Sequence, residues 1–168
     1  MKAADILADA FSRIGPEVHA AVAGLSADQL AERIAPEANT ITWLIWHLTR
    51  VQDDHVADVA GTEQVWTAQG WAERFGLPFP PEATGYGQSP DEVGKVRADA
   101  ELLTGYYDAV AQRTLEYVPD LSDADLDRVV DERWDPPVTV GVRLVSVIGD
   151  DEQHVGQAAY VRGILLQR

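Results

Sequence analysis

Apolar residues recur at helical intervals over most of the chain. Val140, Leu144, Val147, Ala158, Val161 and Leu165 fall on one stripe at about 100° per residue, which predicts a long helix over 139–162. Ile6, Phe11, Ile14, Val18 and Val22 predict an amphipathic helix from Ala3 to Ala23. Gly15-Pro16 sits in its middle, and a proline there lacks an amide donor and crowds the preceding turn, so a kink or break is expected near Ile14. Ile41, Leu44, Leu48, Val51 and Val59 mark a second long helix, Ile41 to Ala60. A third begins at Ser89-Pro90-Asp91-Glu92, where serine caps, proline occupies the first turn and Glu92 closes a capping box. Its apolar positions, from Val93 and Val96 through Leu103, Tyr106 and Val110 to Leu115, carry it to about Val118, before Pro119.

Shorter signals lie between these segments. Ser26 and Gln29 form a capping box for a short helix ending before Pro36, after which Asn39 or Thr40 caps the next long one. Ser122 and Asp125 cap a helical turn, and Val129 to Pro137 reads as extended. Gly61 to Gln88 is the least regular stretch: a turn of helix fits Trp71 to Phe75, but Pro78, Pro80, Pro81, Gly85 and Gly87 forbid a long element. Its aromatic residues give it enough apolar surface to fold over one end of the molecule or to enclose a ligand. The pattern as a whole predicts an all-α fold, a four-helix bundle with a long irregular loop between the second and third long helices. Residues 1–168 are expected to form a single domain.

Composition narrows the chemistry. The net charge is −15 and the basic residues are scattered, so nucleic acid and anionic membrane are poor partners. No basic region followed by an apolar run opens the chain, and no run of 18 apolar residues occurs; the expectation is a cytoplasmic protein. Cysteine is absent, which removes disulfides, thiolate nucleophiles and cysteine metal sites, leaving His, Asp and Glu as strong ligands.

Of the four histidines, His19 reads as a surface residue. His55 lies near the centre of the second helix's stripe and His47 at its edge, each suited to a hydrogen-bonded core position or to a ligand. Asp150 and His154, four residues apart, interrupt the apolar stripe of the last helix. Burying polar groups without partners costs about 2–7 kcal/mol each when neutral. This spacing lets both reach one divalent metal, or pair with each other as an ion pair. In a bundle, His47 on the second helix could meet them.

Trp43-Leu44-Ile45-Trp46-His47-Leu48, taken with the late helix running from Thr139-Val140 to Asp150-Asp151-Glu152-Gln153-His154-Val155-Gly156-Gln157, resembles the DinB-like four-helix bundles. It is most similar to the branch containing mycothiol-dependent maleylpyruvate isomerase and related thiol transferases. The resemblance implies a metal site of His47, Asp150 and His154, with zinc as the default ion and nickel or iron as alternatives. At the first of the two late positions many members have histidine and the mycothiol-linked branch glutamate; Asp150 reaches about 1.5 Å less far than glutamate would, and Asp151 is the nearest substitute. The implied activity is a transferase or isomerase acting on an electrophile with mycothiol as thiol co-substrate. The absence of cysteine suits a protein that borrows its thiol. Asp54 is a candidate general base or, equally, the group that orients His47, and Trp66, Trp71 and Phe79 are candidates to enclose the substrate. A homodimer is expected. The alternatives are a non-catalytic, stress-associated protein that binds a metal or ligand, and a metal-free bundle with an Asp150–His154 ion pair.

Overall fold

A computed structural model describes residues 1–167. Nine α-helices are assigned among them: α1 (Ala3–Val22), α2 (Ala27–Leu30), α3 (Ile41–Ala60), α4 (Val65–Ala68), α5 (Trp71–Phe75), α6 (Pro90–Val93), α7 (Ala100–Tyr117), α8 (Asp123–Leu126) and α9 (Val140–Leu165). The long ones, α1, α3, α7 and α9, form the bundle. α9 packs on α3 and α1, and α7 packs on the same two helices from the other side. A small antiparallel ribbon, β1 (Val129–Asp131) with β2 (Val138–Thr139), pairs Val129 with Thr139 and leads directly into α9.

α3 is the central element. Every residue from Ile41 to Arg50 is buried, so its first half has no solvent face, as expected of a helix covered on all sides. The cover comes from α7, α9 and the connection after α3, whose short helices α4 and α5 bring Trp66, Trp71 and Phe75 into the main core. Thr40 caps α3, its hydroxyl accepting from the Trp43 amide at 3.1 Å, and Gly61 closes it in the left-handed conformation, φ 66°.

The sequence pattern is corrected at three places. α1 runs unbroken through Pro16: its flanking turns are held by buried Phe11, Ile14 and Val18, and tertiary packing outweighs the missing donor. The third long helix is divided, because Gly94 ends α6 and Asp99 starts α7 afresh, its carboxylate accepting from the Leu102 amide at 2.8 Å. His55 is half-buried while His47 is buried, the reverse of their order on the apolar stripe, because the connection after α3 covers the His47 end.

Candidate metal site

α3 and α9 pack along each other and bring His47, Asp150 and His154 together, with one potential ligand atom from each lying within 4.8 Å of the others. Ligands about 2.0–2.2 Å from a single zinc ion stand roughly 3–4 Å apart, so the cluster is close to the spacing an ion requires. The His47 and His154 rings have centroids 4.9 Å apart. Asp150 Oδ2 and His154 Nδ1 are buried without a hydrogen-bond partner among the described residues. A divalent cation held by the cluster would give both atoms a partner. The site fits the metal that the sequence resemblance implies.

The surroundings of His47 fix its tautomer. Its Nδ1 lies 2.5 Å from the Thr84 carbonyl; a carbonyl only accepts, so Nδ1 carries the proton and Nε2 keeps its lone pair. Trp43, one turn earlier, stacks on the ring at 4.5 Å and 16° and is held by an Nε1 bond to Gln88 Oε1 at 2.8 Å. Burial pushes the His47 imidazole below its ordinary pKa; His154 adds to the shift, and the Thr84 carbonyl and Asp150 oppose it. A neutral ring is the form that binds metal. Gly85 lets the loop backbone come this close: with φ +96°, a Cβ there would lie 2.7 Å from His47 Nδ1.

Asp151 is turned elsewhere. Its carboxylate is fully buried, both oxygens without a hydrogen-bond partner among the described residues, and its charge bears on the Tyr107 hydroxyl of α7. Burial raises its pKa well above the carboxylate range, with Asp150 and Glu152 adding to the shift. Consecutive positions on a helix differ by about 100°, which separates Asp151 from the cluster that Asp150 joins.

Beside His47 and Asp150 opens a cavity of about 510 Å³, within the roughly 300–1,000 Å³ of small-molecule sites. Asp54, His55, Thr84, Tyr86, Arg133, Trp134 and Arg143 are among its walls. Asp54 accepts from Gln64 Nε2 at 2.6 Å and lies 3.8 Å from His55 Nδ1. It has no hydrogen bond to His47, whose orientation comes from Thr84 instead. Asp131, on β1, binds Arg133 through two side-chain bonds of 2.9 and 2.8 Å and faces Arg143 at 3.5 Å; the Arg133 contacts hold its pKa well below the carboxylate range.

The aromatic residues expected to enclose the substrate lie elsewhere. Trp66 and Trp71 are core residues packed on Tyr106 at 5.0 and 5.6 Å, and Phe79 leans on Trp46 at 6.4 Å. With Trp46, Trp66 and Phe79 line a separate cavity of about 190 Å³. At the wall of the larger cavity the aromatic side chains are Tyr86 and Trp134, 92% and 65% exposed. Tyr86 is one of the aromatic residues of the irregular connection that the sequence offers as a cover, whereas Thr84, Trp134 and the two arginines carry no such signal, since they sit in that connection, in the turn of the β-ribbon and on a polar position of α9. For Trp43 a signal existed: it stands one turn before His47.

Residues 7–167 match the family model described as mycothiol-S-transferase. No curated protein matches the chain. Among solved structures, it is similar to a conserved protein of Enterococcus faecalis, at 31% identity and a TM-score of 0.93 over 100% of this chain and 99% of that one. With the bundle, the packed α3–α9 pair and a match over nearly its whole length, the chain belongs to the mycothiol S-transferase family, a DinB-like family.

Proposed function

We propose that this protein holds one divalent metal, zinc by default, through His47, Asp150 and His154, and joins the sulfur of a low-molecular-weight thiol such as mycothiol to an electrophilic substrate. The observation that carries the reading is the His–Asp–His cluster, with its orphaned Asp150 and His154 atoms, opening on a 510 Å³ cavity. Family membership supports the thiol. When bound, such a cation lowers the pKa of a coordinated thiol, which free in water is about 8.5, so that the thiolate is available near neutral pH.

The chain's own residues do the rest. Thr84 fixes the His47 tautomer. Tyr86 and Trp134 offer faces at the cavity wall for the thiol's carrier or for the electrophile. Asp54 takes up the proton as the thiol ionises; the thiolate sulfur then forms the new carbon–sulfur bond while the electrophile's leaving group departs with its electron pair. No protein thiol competes, because the chain has no cysteine. Among the described residues no helix is long and apolar enough to cross a membrane, and cytoplasmic action as a homodimer completes the proposal.

The test is conjugation of an electrophilic dye by zinc-loaded protein with mycothiol, with glutathione, or with no thiol, using His154→Ala as the blank. Turnover that needs mycothiol and is lost in the blank is expected. Equal rates for the protein and its blank would leave a metal- or ligand-binding protein without catalysis, and turnover without thiol would point to hydrolysis.

A further inference from the structure

We infer that Arg50 is a positioning residue for the metal site, acting through the Thr84 carbonyl on the imidazole of His47. The inference rests on the reading of His47 as a ligand. The Arg50 side chain is completely buried. A guanidinium cannot shed its charge, so such burial is tolerated only where its donors are taken up. Nε donates to the Ala83 carbonyl at 3.1 Å and Nη2 to the Pro81 carbonyl at 3.3 Å, while Nη1 donates to Gln64 Oε1 at 2.8 Å and to Tyr106 Oη at 3.2 Å. The guanidinium also lies 4.9 Å over the Trp66 ring.

Two of these bonds grip the backbone immediately before Thr84. The next carbonyl, that of Thr84, is the one against His47 Nδ1. Arg50 and His47 are three residues apart on α3, hence neighbours on one face. Arg50, Ala83, Thr84 and His47 therefore form a closed circuit: the helix sets the spacing of the two side chains, and the loop between them is held at both ends. Asp53 secures the start of the same connection, accepting from the Val65 and Trp66 amides at 2.8 and 2.7 Å and from Tyr106 Oη at 2.8 Å. The long irregular segment after α3 is thus anchored by one turn of α3 and delivers a single carbonyl to the metal site.

The test uses the whole chain, with two readouts. In metal-free protein the imidazole nitrogen shifts of His47 report its tautomer; in a chelator competition the zinc affinity is measured. Wild type is expected to show one Nδ1–H tautomer. Arg50→Lys keeps the charge beside Asp53 but has no planar fork to span Pro81 and Ala83; it should give mixed tautomers and zinc binding weaker by about 10–100-fold, the usual effect of losing a group that orients a ligand. Gly85→Ala, which forces the loop off His47 without touching Arg50, should do the same. Helical circular dichroism should be unchanged in both. If Arg50→Lys does not fold, Arg50→Gln is used instead; its single amide cannot reach both carbonyls, and Asp53 keeps its bonds to the loop amides. A folded Arg50 variant with an unchanged tautomer and unchanged zinc affinity overturns the inference, since a residue that only stabilises the bundle would move neither. Because the tautomer is read without metal, a wild type that binds no zinc would remove the metal reading while the circuit is still judged by the first readout.

Discussion

Asp150 is where side-chain length matters most. Its carboxylate sits in the cluster with one oxygen unpartnered among the described residues, but the side chain is a methylene shorter than glutamate. Asp150→Glu is expected to bind zinc at least as tightly as the parent in a chelator competition; weaker binding would mean that the helix pair is already spaced for aspartate. His55 bears on pH. Burial lowers its imidazole pKa, Arg143 adds to the shift and the nearby Asp54 opposes it. As pH falls below about 6.5, the unfolded chain takes up a proton that native His55 resists, so protons favour unfolding and stability drops through the window between the two values. In urea unfolding of metal-free protein from pH 8 down to pH 5, wild type should lose more stability than His55→Gln as pH falls; the shifted His47 and Asp151 act in both proteins and drop out of the difference. A slope unchanged by the substitution would place the linkage on other groups.

At the scale of elements, what could be read from sequence was whatever has a local cause. The stripes of α1, α3 and α9, the Ser26, Ser89 and Ser122 capping boxes and the α5 turn all follow from neighbours in the chain. Two of the metal candidates were legible for the same reason, since Asp150 and His154 visibly spoil an apolar stripe; His47 came from the family resemblance carried by the Trp43–Leu48 segment, because its own position on the stripe suits a core histidine as well as a ligand. The restart at Asp99 had a local signal as well, an N-cap aspartate after Gly94, masked by Val93, Val96 and the later apolar positions that continue the period across the gap. Asp99→Ala should cost about 1 kcal/mol, within the 0.5–2 usual for a cap, measured by urea unfolding; no loss would mean that packing alone starts α7. Contacts distant in sequence left no such trace. Thr84 reaches His47 across 37 residues and Arg50 reaches Ala83 across 33, and a buried arginine in an apolar helix reads from sequence as an exposed one.

For the molecule as a whole, charge sets the conditions under which the central claim is tested. A net charge of −15 gathers cations near the surface, and these are screened over about 8 Å at 0.15 M salt, unlike a coordinated ion. The most direct measurement is therefore the metal content of untagged protein after dialysis at that ionic strength, for wild type, His47→Ala and His154→Ala, with helical circular dichroism recorded on each. The account expects one divalent ion per wild-type chain and none in either variant, with helicity intact in all three. Full metal retained by both variants, or a wild-type chain that takes up none when zinc is supplied, would contradict it.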